Sequence, residues 1–162
     1  MTVRRTAVIL IDLENQTDLD LAALRGHLRG RFYLVDQLAF ADYSRPSMRP
    51  AADRVAAAGV TRVQVDTCQP EEAAVATAAG GAAGYARNAV DQVMARILDR
   101  LAGYEHIDAI IVVSGDNYFV RPVKRARRMG KRVIVAANPD RASRQLQNAA
   151  NEFISLYGHK VQ

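Results

Sequence analysis

The stretch Ala109-Ile110-Ile111-Val112-Val113-Ser114-Gly115-Asp116-Asn117 decides the fold. Residues 109–113 are apolar without a break. A strand with one wet face alternates apolar and polar residues; a strand buried on both faces does not, and such strands belong to parallel sheets. The run stops at Ser114-Gly115-Asp116, where glycine permits a tight turn. A buried strand therefore hands a carboxylate to whatever lies beyond its C-terminal end. Asp116 or Asn117 could equally serve as a helix N-cap.

The same pattern opens the chain. Residues 6–12 are β-rich and end at Asp12, followed by Leu13-Glu14-Asn15. Further β-rich runs fall at 34–40, 61–67 and 132–137. Helical periodicity lies between them: Leu19, Leu21, Leu24 and Leu28; residues 48–58, stopped by Gly59; Val90, Val93, Met94, Ile97, Leu98 and Leu101; Phe119, Val120, Val123 and Ala126, ending at Gly130. A last helix is predicted over 141–150, with a short run at 152–156 after it. This alternation predicts an α/β fold: three layers, with a mostly parallel sheet of about five strands flanked by helices and joined by right-handed crossovers. The 162 residues suit a single domain over 1–162. Residues 67–87, rich in alanine and glycine, are too long for an ordinary connection and are expected to be flexible.

Composition narrows the class. Hydrophobic residues make up 49% and charged residues 24%, a globular balance. The one cysteine, Cys68, can form no internal disulfide and reads as a small strand-end residue, so a reducing, cytoplasmic location is expected. The apolar runs at 7–11 and 109–113 are too short for a signal peptide or a membrane span. His27, His106 and His159 share no metal-like spacing and read as surface residues. Seven cations and no acid lie between positions 121 and 132; without them the net charge of +5 would be −2. So local an excess suits a polyanion, although a solvated helix face near a helix C-terminus would look the same.

Open α/β sheets bind ligands beyond the C-terminal ends of their strands, where strand order reverses. No glycine-rich loop follows the first strand, so a dinucleotide site is not expected there. Asp12 and Asp116 each stand at a strand tip, and Asp91 opens the helix after the alanine-rich segment. Each alone could be a cap or a favourable first-turn charge; Asp99, two turns on, ranks lower. Converging carboxylates repel one another unless a cation neutralises them. Oxygen-only ligands select Mg²⁺ or Mn²⁺.

These motifs, taken in order, resemble those of the NYN family, a branch of the PIN-like and FEN-like nucleases. The resemblance rests on Asp12-Leu13-Glu14-Asn15, on Asn88-Ala89-Val90-Asp91, on Ser114-Gly115-Asp116-Asn117-Tyr118-Phe119, and on Gly130-Lys131-Arg132-Val133 with Ala149-Ala150-Asn151-Glu152-Phe153. It implies a PIN-like domain with the first and fourth strands adjacent. It also implies Mg²⁺- or Mn²⁺-dependent cleavage of RNA, with Asp12, Asp91 and Asp116 as catalytic, metal-holding acids. Asn15, Ser114 and Asn117 are the expected supporting polar groups. Arg121, Lys124, Arg125 and Arg128, at i, i+3, i+4 and i+7, are expected to hold RNA phosphates. Tyr118 could stack on a base or equally pack as a core aromatic beside Phe119. Where the family usually carries acids, this chain has Tyr118 and Asn151, so a thinner acidic cluster is expected. RNA is the expected partner; a homodimer is compatible with the chain, and a membrane is not expected. A metal-dependent ribonuclease is the leading reading and a catalytically weak RNA-binding module the second. A small-molecule phosphohydrolase ranks last, because no lysine follows the fifth strand in Ala136-Ala137-Asn138-Pro139.

Overall fold

The structure, a computed structural model, describes residues 3–67 and 88–156. Apart from Thr67, the segment expected to be flexible lies outside the described residues, as do Cys68 and His159.

Six strands form one sheet: β1 (Arg5–Asp12), β2 (Phe32–Ala41), β3 (Thr61–Gln64), β4 (Ala109–Val113), β5 (Arg132–Ala137) and β6 (Glu152–Ser155). The order is β3-β2-β1-β4-β5-β6, and every neighbouring pair is parallel. The sixth strand is the short run left unassigned in the sequence. Five α-helices accompany it among the described residues: α1 (Leu21–Leu28), α2 (Arg49–Ala57), α3 (Ala89–Ala102), α4 (Val120–Arg128) and α5 (Arg144–Ala149).

The unbroken apolar runs have a direct explanation. In β1, Ala7, Ile9 and Ile11 face one core, with Leu24, Leu28 and Val55 from α1 and α2. Val8 and Leu10 face the other, with Met94, Leu98, Val123 and Leu146 from α3, α4 and α5. Successive side chains of a strand point to opposite faces, so a strand between two helical layers needs apolar residues at every position. Central strands β1, β4 and β5 are accordingly buried almost throughout.

Two helix stops follow from backbone geometry. Gly59 and Gly130 adopt φ of +78° and +87° just after α2 and α4, a region costly for residues with a Cβ. Two elements are shorter than predicted. Residues 61–67 form a strand only to Gln64, because Thr67 turns to bond Asp42 through its backbone N–H and Oγ1. The last helix begins at Arg144 because Ser143 caps it, its Oγ accepting from Leu146 N at 3.3 Å.

The strand order reverses between β1 and β4, which lie side by side with Ile11 opposite Val113. The tips of these two strands therefore open onto the switch point.

Candidate active site

One residue beyond the Ile11–Val113 pair, Ser114 Oγ donates to Asp12 Oδ2 at 3.0 Å. The same Ser114 oxygen accepts from Asp116 N at 3.2 Å. Asn15 fastens the two strand-tip loops together: its Oδ1 accepts from Gly115 N at 3.0 Å and from Gln16 Nε2 at 2.6 Å. Gly115 is required by close packing. A Cβ there would stand 2.9 Å from Ala142 Cα and from the Arg141 carbonyl.

Asp91 arrives from the opposite wall, in the first turn of α3. Asn88 precedes that helix at φ +59°, a left-handed conformation that asparagine tolerates better than most residues. Asp12, Asp91 and Asp116 line one cleft of about 300 Å³, together with Glu14, Arg45 and Thr67. Asp12 and Asp91 are buried; Asp116 and Glu14 are half-buried.

The electrostatics register this crowding. Burial, then the nearby Asp91 charge, pushes the Asp12 carboxyl from 3.8 up to about 7, against hydrogen bonds from Ser114 and the Asn15 backbone. Burial raises Asp91 to about 6, helped by the charge of Asp116, a hydrogen bond to it, and the charge of Glu14. Holding all these groups ionised near neutral pH requires a nearby cation or costs stability. The donors are all hard oxygens, which suit Mg²⁺ or Mn²⁺. Among the described residues no group of three or more histidine, cysteine or carboxylate side chains is preassembled as a metal site. The donor chemistry of the cleft fits such an ion.

Sequence reasoning missed the support behind the cleft. Asp42, just past β2, is buried. It accepts from Ser44, Gln64 and Thr67, and its carboxyl is held well below the usual range by these bonds despite burial. Its backbone N–H donates to Glu14 Oε1 at 3.0 Å, which fixes Glu14 at the cleft. Arg45 joins this network, donating to Thr67 Oγ1 at 2.7 Å. The strand-tip rule that selected Asp12 would have found Asp42 as well, two residues beyond the predicted end of the second strand.

The remaining candidates lie elsewhere. Asp116, rather than Asn117, caps the 3₁₀ turn Asn117–Phe119, accepting from Tyr118 N at 2.8 Å. Asn117 accepts from Ser143 Oγ at 2.7 Å. Asn117, Tyr118, Arg121 and Arg125 line a neighbouring groove, with Tyr118 exposed and packed edge-on against Phe119. Arg125 is paired with Asp99 at 3.0 Å, so Asp99 points away from the cleft. Lys124 and Arg128 line a third, separate pocket. Asn151 lines that pocket too, its Oδ1 accepting from Val133 N. The expectation that Asn151 thins the acidic cluster is therefore corrected: it stands before β6, at the end of the sheet away from Asp12 and Asp116.

An all-parallel doubly wound sheet with carboxylates and no glycine-rich loop at its switch point is the arrangement expected of a PIN-like domain. The NYN domain profile matches residues 6–157, and the chain belongs to the NYN family of that superfamily. A protein of unknown function from Vibrio parahaemolyticus shares the fold, with a TM-score of 0.74 at 21% identity over 97% of each chain. The TrkA-N domain of an inner membrane protein from Escherichia coli overlaps at a TM-score of only 0.42 and 13% identity, over 96% of this chain and 90% of that one. No curated protein matches the chain significantly. Among the described residues no helix is long and apolar enough to cross a membrane.

Proposed function

We propose that the chain is a divalent-metal-dependent ribonuclease that cleaves RNA phosphodiester bonds by hydrolysis. The observation that carries this reading is the meeting of Asp12, Asp91 and Asp116, with Glu14 beside them, in one cleft at the β1–β4 switch point.

Asp12, Asp91 and Asp116 would hold the ion. When bound, Mg²⁺ or Mn²⁺ supplies a Lewis acid that activates water and offsets the charge developing on the phosphate. The chain's own residues supply position. Ser114 orients the Asp12 carboxylate, and Asn15 locks the Asp12 loop to the Asp116 loop. Glu14, fixed by the Asp42 backbone, adds negative charge beside Asp91. Without an ion that charge would repel RNA; with one, the cleft becomes a place for a single phosphate. Tyr118 and Arg121, in the next groove, would receive a base and a phosphate of the same strand.

The test is incubation of labelled single-stranded and structured RNAs with Mn²⁺ or with EDTA, alongside Asp12→Asn. Cleavage confined to the wild type with metal supports the reading. Metal-independent cleavage, or cleavage undiminished in Asp12→Asn, would sink it. Tyr118, standing where the family usually carries an acid, favours a second reading, a weakly catalytic RNA-binding module. Tight RNA binding with neither Mn²⁺ uptake nor cleavage would select it.

A further inference from the structure

Arg5, Lys124, Arg127, Arg128, Lys131 and Arg132 line a single concave pocket with Gly130 and Asn151. Among the described residues no acid and no apolar side chain lines it. The run between positions 121 and 132 supplies five of the six cations, and Arg5 comes from the start of β1. The pocket thus lies at the N-terminal ends of the strands, at the far end of the sheet from Asp12 and Asp116.

Three of the six are already engaged. Lys131 Nζ donates to the carbonyls of Tyr104 and Ile107, each at 2.6 Å. Arg127 donates to the Ala149 carbonyl at 2.8 Å, and Arg132 pairs with Glu152 at 3.3 Å. These contacts hold the pocket wall. Arg5, Lys124 and Arg128 are exposed and make no ion pair or side-chain hydrogen bond with any described residue. These three cations, paired with no described acid, repel one another where they share the pocket.

We infer that this pocket is a second contact for the backbone of a bound polynucleotide, separate from the cleft, with Lys124, Arg128 and Arg5 as its phosphate-binding groups. The chemistry selects phosphates: planar guanidinium forks and an ammonium on one open basic surface. A membrane-surface site would need apolar side chains to insert, and the pocket lining has none. Helix α4 joins the two ends. It starts beside Asp116 and Tyr118 and ends at the pocket, with Arg121, Lys124, Arg125 and Arg128 along its exposed side. The seven steps from Arg5 to Asp12 cover about 23 Å at ~3.3 Å per residue. A stacked strand rising ~3.4 Å per nucleotide needs about seven nucleotides to reach from cleft to pocket. A shorter stacked strand cannot hold both sites at once. The inference shares its ligand with the proposed nuclease but not its chemistry.

The experiment is binding of a 4-nucleotide and a 20-nucleotide single-stranded RNA by fluorescence anisotropy in EDTA, where metal-dependent cleavage is silent. Lys124→Ala/Arg128→Ala is compared with the charge-matched control Arg29→Ala/Arg49→Ala, whose side chains are exposed and line none of the three pockets described. The pocket variant should bind the 20-mer about tenfold or more weakly at 0.1 M salt. Its log–log salt slope should be shallower by about 1.4, as two lost contacts on a single strand require. Its affinity for the 4-mer should fall too, because without an ion the acidic cleft repels RNA and the basic pocket is what a short strand can reach. Equal loss in the control, unchanged 20-mer affinity, or capture by anionic vesicles instead of RNA would each overturn the inference. A wild type that binds the 20-mer through this pocket yet cleaves nothing with Mn²⁺ would count against the nuclease reading alone.

Discussion

The two ends of this sheet carry opposite charge, and the same helix directions account for only one of them. Helices α3 and α4 run antiparallel to the strands. Their N-termini point toward the Asp12–Asp91–Asp116 cleft, and the C-terminus of α4 points toward Arg128 and Lys131. Helix dipoles favour acids at the first end and cations at the second, by roughly 0.3–1 kcal/mol per charge. At the basic end that is enough, because Lys124 and Arg128 remain solvated. At the acidic end it is not. At ~1.4 kcal/mol for each pH unit between 3.8 and about 7, ionising Asp12 in the folded chain costs on the order of 4 kcal/mol. The basic end is cheap to keep for any purpose; the acidic end is not, and such a cost points to a cation that offsets it.

Asp12→Asn tests that contrast most severely. It should lower RNA cleavage in Mn²⁺ by about 10²-fold or more, a loss of ~3 kcal/mol of barrier stabilisation. In EDTA at pH 7.5 the same variant should melt higher than the wild type, because the buried charge is gone. Single-turnover cleavage and a thermal melt check the two arms. Activity retained together with a lowered Tm would mean that Asp12 is structural.

A pH series sharpens the same point. Asp12 and Asp91 hold their protons more tightly in the folded than in the unfolded chain. Between about pH 4 and 7 the folded state therefore binds more protons, and metal-free stability falls as pH rises through that window. The penalty is absent below the unfolded value of 3.8 and complete above about 7. Asp42 works in the opposite sense, but only at lower pH, where its carboxylate would be lost. Melting in EDTA should thus drop between pH 5 and pH 8, by less in Asp12→Asn. A flat profile would remove the electrostatic argument for a cation.

How much of each end was legible differs for a physical reason. The acidic end is built at strand tips, and a buried strand announces its own tip: residues 6–12 and 109–113 run apolar and then stop at Asp12 and at Ser114-Gly115-Asp116. The fold followed from the same runs, since only a doubly covered strand is apolar at every position. Glu14 and Asp42 were harder. Glu14 becomes a cleft residue only because the Asp42 backbone N–H, across a parallel pair of strands, holds it there. That contact spans 28 positions and leaves no periodicity. The basic run between 121 and 132 was visible as charge, but not its division between two pockets. That division depends on the turn at Gly130 and on Arg5, more than a hundred positions away. The short strand β6 was hidden because four residues carry too little pattern to separate strand from loop.

Gly115→Ala has a smaller expected effect and separates loop geometry from charge. The added methyl would press on Ala142 Cα and the Arg141 carbonyl, both backbone atoms at 2.9 Å. Overpacking of this kind costs roughly 1–3 kcal/mol, or several degrees of Tm in a chain of this size. It should also disturb Ser143, whose backbone N–H donates to the Gly115 carbonyl at 2.9 Å. Mn²⁺ affinity should fall with stability, while binding of the 20-mer in EDTA should not. A melt indistinguishable from wild type would show that the 141–143 loop yields freely.

Tyr118 gives the smallest expected effect and decides whether the neighbouring groove belongs to the acidic end. Its ring is 37% exposed and meets Phe119 edge-on at 5.7 Å, so it is not a core aromatic. It lines the groove of Arg121 and Arg125, not the cleft of Asp12 and Asp91. A carboxylate at this position would face that groove rather than join the ligand set. Tyr118→Asp should leave Mn²⁺ affinity unimproved and stability within about 1 kcal/mol of the wild type, as for most exposed substitutions. It should weaken single-stranded RNA binding, because an acid there loses the ring and repels phosphate. Tyr118→Phe should restore binding if the ring stacks on a base, a contact worth roughly 1–3 kcal/mol in single-strand binders. Tyr118→Ala should behave like the aspartate at high salt, where repulsion is screened. Tighter Mn²⁺ binding by Tyr118→Asp would place this side chain in the cleft after all, and the groove would then be an extension of the acidic end rather than the start of the basic one.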